Sequence, residues 1–420
     1  MMQKWFKKAK LGIFLHWGIY AVDGMEASWP FYNGQVSYED YMKQLDGFTA
    51  ANYDPDYWAD LFYKAGAKYA VLTAKHHDGV SLWDTKVSDF NVVKKSPAGR
   101  DLIKPYCEAL RAKGLNVGIY FSLLDWSHPD YRTMDCHFNE NPFANPVENE
   151  EPERWENFRQ FMHAQLTELL TQNGTVDLLW FDGAWERQWD VWNFDETYNL
   201  LLGLNKNLMV NNRLGPYGDF STPEQGIPTQ APDEDWEFCM TINDTWGYDP
   251  RDKNFKTPRQ LIRIFSECIS MGGNLLLNVG PKEDGTIEKG MEKSLLEMGE
   301  WIHKNAEAIY DTGKGLPPGL FYGASTISED RKNLYLFYYD RPWDEVVLKG
   351  VINNIKKVSI LGGEELSFKT VGGAAWVNVP GITYITLPEQ LADKNATVIK
   401  VELDEPLKIY LGEGKIVDSN

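Results

Sequence analysis

Short, unbroken apolar runs alternate with amphipathic segments as far as about residue 312 of the 420. The runs are Gly12–Leu15, Tyr69–Thr73, Val117–Ser122, Val176–Phe181, Leu208–Asn211, Phe238–Ile242 and Asn274–Val279. None alternates apolar with polar, so each reads as a strand buried on both faces. The amphipathic segments are Pro55–Lys64, Asp101–Lys113, Arg154–Thr171, Pro258–Ser270 and Ile287–Ala308, with Gly66 and Gly114 placed as helix C-caps. Strand–helix alternation repeated this often needs parallel strands joined by helical crossovers. It predicts an α/β fold, a (β/α)8-like (TIM-type) barrel, with an open doubly wound sheet as the alternative.

From Leu334 the period changes to two. Leu334–Tyr339, Glu345–Leu348, Lys357–Leu361, Ala375–Val379, Tyr384–Leu387, Thr397–Leu403 and Lys408–Leu411 read as short strands separated mostly by Gly, Pro or Asn. That pattern predicts a C-terminal antiparallel β-sandwich. The Gly- and Pro-rich stretch Thr312–Gly319 reads as the linker, giving a catalytic barrel domain over 1–313 and a sandwich domain over 320–420. Asn141–Glu153, rich in Glu and Pro, reads as a solvated surface excursion.

Charge narrows the partners. Lys and Arg total 42 against 61 Asp and Glu, a net charge of −19. A chain this acidic lacks the basic footprint that phosphate backbones and anionic membrane surfaces require, so neither nucleic acid nor membrane is expected as a partner. No apolar run reaches the ~18 residues of a membrane span. Met1–Lys10 is basic but has no apolar core behind it, so no signal peptide is read and a cytoplasmic location is expected. The 4 cysteines, Cys107, Cys136, Cys239 and Cys268, are widely spaced and read as reduced, buried thiols. The 16 Trp suit either stacked sugar rings or a large barrel core. The sequence is open to a homo-oligomer.

In a (β/α) barrel the reactive groups lie at the C-terminal ends of the strands. His16-Trp17-Gly18 follows the first run, Lys75-His76-His77-Asp78-Gly79 the second, Asp125-Trp126 the third, Asp182-Gly183 the fourth and Asn212-Arg213 the fifth. Of 7 histidines in the chain, His16, His76 and His77 fall here. Asp182 ends an apolar, aromatic strand and is either a turn or cap residue or a carboxylate nucleophile on a rigid support. Trp180 shares its face. Glycoside hydrolysis needs a second carboxyl group, and Glu224, Glu234, Asp235 and Glu237 are the downstream candidates. Zinc is the competing use of the histidines, but His76 and His77 are adjacent and there is no HExxH or His-x-His pair. No metal and no organic cofactor is expected; GxSxG, Walker A and strand-following GxGxxG patterns are likewise absent from the sequence.

Taken together and in order, these motifs resemble the α-L-fucosidases of glycoside hydrolase family 29. The resemblance runs from Trp5 to about Tyr310. It is carried by Gly12–Gly18, Ala67–Ala74 leading into Lys75–Gly79, Asp125-Trp126, Trp180–Gly183, Asn212-Arg213, Asp219–Glu224, Trp236-Glu237, Trp246–Tyr248, Gly272–Pro281 and Asp284–Ile287.

The resemblance implies a retaining exo-glycosidase that hydrolyses terminal α-L-fucosyl residues of a fucosylated oligosaccharide or glycoside through a covalent glycosyl-enzyme. It assigns Asp182 as nucleophile and Glu224 as acid/base, with Glu237 the alternative. It implies sugar-hydroxyl contacts for His16, His76 and His77, a substrate-side role for Arg213, packing of Trp180 on the sugar, and a substrate-binding place for Glu237 as well. Tyr120 or Phe121 falls at a substrate-side aromatic position. Many relatives carry Glu-Trp-Tyr after the first strand, whereas this chain has Ser28-Trp29-Pro30. Trp29 remains as a sugar contact, and the carboxylate is absent unless Glu26 replaces it. Two alternatives follow, a related α-L-glycosidase acting on an α-L-galactoside, and a catalytically inactive sugar-binding protein of the same fold.

Overall fold

The computed structural model describes residues 3–131, 152–340, 345–374, 376 and 379–412. Cys136 and most of the Glu- and Pro-rich segment lie outside them. The seven apolar runs become β1 (Leu11–Leu15), β2 (Tyr69–Lys75), β3 (Asn116–Ser122), β4 (Leu178–Asp182), β5 (Met209–Val210), β6 (Glu237–Thr241) and β7 (Asn274–Val279). They form one sheet in the order β5-β4-β3-β2-β1-β7-β6. The ladders from β1 to β5 are parallel, with Phe14 opposite Val71, Ile119 opposite Leu179, and Leu178 opposite Met209.

The sheet curls on itself. Met209 on one end strand and Cys239 on the other share an apolar cluster with Phe14, Tyr69, Tyr120, Trp180 and Leu276. Residues 219–225 span the gap between these ends. Asn211 bridges Phe220, Ser221 bridges Trp236 and Glu224 bridges Cys239, all in parallel sense. Ser221 N–H donates to Asp235 O, Glu237 N–H to Ser221 O and Cys239 N–H to Pro223 O. Where a regular eighth strand was expected, there are isolated bridges. Pro223 brings no N–H to a ladder, and Gln225 turns to φ 58°.

The helices Pro55–Lys64 and Pro258–Ser270 form with the expected bounds. Asp54 caps the first through Tyr57 N–H, and Thr257 with Gln260 makes a capping box on the second. Gly66 and Gly114 take φ 89° and 73° at helix ends, as a C-cap requires. Among the described residues no helix is long and apolar enough to cross a membrane.

The chain divides into two compact units. The first comprises Met1–Gly226, Glu234–Lys256 and Leu276–Leu296; the second comprises Ile227–Asp233, Thr257–Leu275 and Glu297–Asn420. The second unit holds two antiparallel sheets. One contains β8 (Thr312–Lys314), β9 (Ala324–Ser328), β10 (Asn333–Tyr338), β12 (Ile355–Ile360) and β15 (Thr397–Leu403); the other contains β11 (Val346–Leu348), β13 (Phe368–Val371) and β14 (Ile382–Ile385). Leu334, Leu336 and Val401 of the first sheet share a core with Val346, Leu348 and Ile385 of the second. Thr312–Lys314, read as the start of the linker, is instead an edge strand paired with β9. Three residues carry too short a pattern to register against the neighbouring glycines.

Candidate active site

Asp182 closes β4, the sheet's most aromatic strand, and its side chain is 13% exposed. The turn after it needs glycine. Gly183 has φ +92°, and a Cβ there would stand 2.4 Å from Leu124 Cγ. Both carboxylate oxygens of Asp182 are engaged. Oδ1 accepts from Arg213 Nη1 at 2.7 Å and from Gly183 N–H at 3.0 Å, and Oδ2 accepts from Tyr120 Oη at 3.0 Å. Tyr120 lies opposite Trp180 in the β3–β4 register, which brings its hydroxyl to the strand end. Of the pair Tyr120 and Phe121, Tyr120 reaches this site; Phe121 lies under the ammonium of Lys75.

Arg213 is the hub. Its Nη2 donates to Glu224 Oε2 at 2.7 Å, its Nε to Thr222 Oγ1 at 3.1 Å, and its guanidinium lies 4.5 Å from the Trp180 ring centre. One cation therefore bridges the carboxylate at the end of β4 and the carboxylate on the 219–225 segment, the second of which is 39% exposed. Flanking carboxylates hold the guanidinium charged despite its burial.

Trp180, Asp182, Arg213 and Glu224 line a pocket of about 160 Å³ together with His16, Trp29, His76, Trp185 and Trp246. Trp29 and Trp185 stand near-parallel, 6.2 Å apart and 16° between planes. Burial pushes His16 down to about 4 and His76 and His77 well below the usual imidazole range, so all three are neutral near pH 7. Their tautomers follow from their partners. Asn278 Nδ2 donates to Trp246 O at 2.7 Å, which leaves its Oδ1 to accept from His16 Nδ1 at 2.7 Å. Ser122 Oγ donates to Leu124 O at 2.7 Å, so it accepts from His77 Nδ1, also at 2.7 Å. Nε2 of His16 and of His77 is therefore a bare acceptor. That of His77 is buried without a hydrogen-bond partner, 3.8 Å from Asp182 Oδ2. β2 ends at Lys75, so His76 and His77 sit where the backbone has left the strand, ring centres 4.1 Å apart; His76 lines the pocket, while His77, fully buried beside it, does not. Among the described residues no three His, Cys, Asp or Glu side chains group as metal ligands.

Glu237 is set apart from this assembly. It is fully buried at the start of β6, with Oε1 accepting from Trp180 Nε1 at 2.9 Å and Oε2 from the Tyr69 hydroxyl. Burial raises its carboxyl to about 7. It supports Trp180 from behind and does not line the pocket. Nor does Ser28, whose hydroxyl turns to His76 Nδ1 at 2.6 Å and Asp78. Glu26 Oε1 accepts from Trp246 N–H at 3.0 Å, and this carboxyl too stands behind the lining.

Trp185, Trp246 and Asn278 carry no role in the sequence reading. Asn278 did leave a signal, as a polar residue near the C-terminal end of the otherwise apolar β7. Trp185 sits on the three-residue 3-10 helix Ala184–Glu186, too short for a periodic signal, and Trp246 sits on a loop where only the Trp246–Tyr248 motif marked it.

Comparison with known proteins identifies the family. A family model described as alpha-L-fucosidase matches residues 1–307. The tissue alpha-L-fucosidase of Bos taurus is 31% identical over 424 residues, covering 92% of this chain and 86% of its own. Among solved structures, alpha-L-fucosidase isoenzyme 1 from Paenibacillus thiaminolyticus is similar with a TM-score of 0.85 and 34% identity, over 96% of this chain and 98% of that one. A trapped covalent intermediate of the GH29 alpha-L-fucosidase from Bacteroides thetaiotaomicron is similar with a TM-score of 0.81 and 26% identity, over 95% of each chain. The chain belongs to the α-L-fucosidase family of glycoside hydrolases.

Proposed function

We propose that this α-L-fucosidase is a retaining exo-enzyme, acting on terminal α-L-fucosyl groups of an oligosaccharide or glycoside on a barrel closed through residues 219–225. The sugar lies in the pocket with a hydroxyl donating to the bare Nε2 of His16 and an apolar face on Trp180. Asp182 attacks the anomeric carbon as Glu224 protonates the departing glycosidic oxygen. The C–O bond to the aglycone breaks and a fucosyl–Asp182 ester forms. Glu224, now a carboxylate, takes a proton from water, which attacks the same carbon and releases Asp182 and L-fucose with configuration retained.

The single observation that carries this reading is the Arg213 bridge, 2.7 Å to Asp182 and 2.7 Å to Glu224. It holds one sheltered and one exposed carboxylate around one cation, and a double displacement needs two such groups on one site. The covalent intermediate trapped in the Bacteroides thetaiotaomicron relative supports the same route. Glu224 is preferred to Glu237 because it faces the pocket, while both oxygens of Glu237 are committed.

The test is hydrolysis of an aryl α-L-fucoside beside the matching α-L-galactoside, with and without chelator, the first-formed anomer read by proton NMR. Fucoside turnover that survives the chelator and yields α-L-fucose first supports the proposal. First-formed β-L-fucose overturns the retaining mechanism, faster galactoside turnover overturns the sugar, and turnover of neither substrate overturns the enzyme.

A further inference from the structure

Two of the three histidines grouped near Asp182 are oriented by groups that cannot titrate. His16 leans on an amide held by a carbonyl, and His77 on a hydroxyl held by a carbonyl. His76 differs. Its Nδ1 lies 2.6 Å from Ser28 Oγ, and Ser28 Oγ lies 3.2 Å from Asp78 Oδ2. Ser28 is fully buried, and its oxygen also accepts from Asp78 N–H at 3.1 Å. The hydroxyl has a single proton to give, and two groups compete for it.

We propose that Asp78, acting through Ser28, is a positioning residue that fixes the tautomer of His76, and that protonating Asp78 reverses the relay. With Asp78 ionised, Ser28 O–H donates to Oδ2 and His76 Nδ1–H donates to Ser28. His76 then presents a bare Nε2, as His16 and His77 do. When Asp78 takes up one proton, its O–H donates to Ser28 Oγ and Ser28 O–H donates to His76 Nδ1. The imidazole proton leaves Nδ1 for solvent and one returns on Nε2, so the ring stays neutral and its pocket-side nitrogen becomes a donor. A sugar hydroxyl that donated to Nε2 then meets a second donor.

The surroundings of Asp78 set where this happens. Tyr41 Oη donates to Oδ2 at 2.7 Å and Val80 N–H to Oδ1 at 2.9 Å. Tyr38 lies on the same helix as Tyr41, and Tyr20 faces from the 3-10 helix Ile19–Ala21 after β1, where its ring meets His76. Asp125, from the segment after β3, adds negative charge, while Lys75 is paired to Asp125 at 3.0 Å and offsets part of it. Burial dominates and lifts the Asp78 carboxyl to about 6. Neither neighbouring histidine supplies a cation, since burial keeps both neutral.

This inference rests on the proposed function only in naming a sugar hydroxyl as what Nε2 meets. The tautomer itself is read without substrate, by nitrogen NMR of [15N]histidine-labelled protein, with His76→Gln identifying the signals. At pH 8 His76 Nδ1 should carry the proton, and titration to pH 5 should move it to Nε2 in the wild-type protein. Asp78→Asn, whose amide donates to Ser28, should give the low-pH pattern at pH 8. It should also lower kcat/KM on the aryl fucoside about 3- to 10-fold, the worth of one hydrogen bond, with KM rising more than kcat falls. Nε2–H in the wild type at pH 8, or a tautomer unchanged between pH 8 and pH 5, overturns the proposal. A pH-dependent tautomer in a protein that cleaves no fucoside would sink the fucosidase reading and leave this one standing.

Discussion

Arg213 and Asp182 meet end-on, Nη1 to Oδ1 at 2.7 Å, with the guanidinium lying over the Trp180 indole. The contact fixes which Asp182 oxygen stays paired, while the Tyr120 hydroxyl on Oδ2 marks the side nearer His77. Removing the carboxylate leaves the cation with Glu224 alone.

Asp182→Gly should therefore lose about 10³-fold or more of kcat on an aryl α-L-fucoside. Added azide should occupy the vacated space, attack the anomeric carbon and restore part of the turnover as β-L-fucosyl azide. Product analysis by mass spectrometry and NMR checks this, and full activity in the variant would remove Asp182 from the nucleophile's role.

Glu224 and Glu237 should separate by leaving group. Glu224→Ala should lose about 10² to 10⁴ on fucosides with poor leaving groups and far less on activated aryl fucosides. In Glu237→Gln the amide oxygen can still accept from Trp180 and the amide nitrogen donate to Tyr69. Its loss should stay under about tenfold and be the same for every leaving group. A leaving-group plot for each variant decides the pair.

His16 gives a pH prediction whose sign is fixed. Its folded value of about 4 lies below the ordinary 6.5, so below pH 6.5 the unfolded chain binds the proton first. The stability this histidine contributes is complete above pH 6.5 and drains away as pH falls toward 4, by about 3 kcal/mol. The raised carboxyls of Glu26, Asp78 and Glu237 act in the opposite sense, losing stability as pH rises toward 7. The difference between wild type and His16→Gln isolates the histidine. In urea unfolding the wild type should lose ground to the variant between pH 6.5 and 4, and a constant difference would refute it.

Lys75 and Asp125 form a fully buried pair at 3.0 Å, with Gln165 Oε1 also accepting a hydrogen bond from Lys75 Nζ at 3.0 Å. Lys75→Met leaves a buried carboxylate without its cation and should cost about 3–5 kcal/mol in urea unfolding. Lys75→Met with Asp125→Asn should recover at least half of that. A single variant as stable as the wild type would show that the pair is not coupled.

The strands were legible because burial on both faces writes a continuous apolar run. β2, β3 and β7 are buried almost throughout, and their ends delivered His76, His77 and Asn278 to one place. The helix Phe194–Leu204 was not legible, since Leu200-Leu201-Leu202 interrupts its amphipathic period. Asp182 and Arg213 could be placed by what precedes them. The isolation of Glu237 could not, because it depends on Tyr69, 168 residues away, and Trp180, 57 residues away, taking both its oxygens. The turning of Ser28 away from the pocket likewise rests on His76, 48 residues further along. Such pairings belong to the packed chain, and local pattern does not encode them.

Asp182 and Glu224 rest on unlike supports. The first ends a strand laddered on both sides, while the second sits on a segment tied by single bridges, Ser221 to Trp236 and Glu224 to Cys239. The chain between Gln225 and Asp235 is a mostly exposed excursion that leaves and returns to the same seam. The register of Asp182 is thus fixed by its own strand, while that of Glu224 rests on pairings of Ser221 with Trp236 and of Glu224 with Cys239, each 15 positions further along the chain.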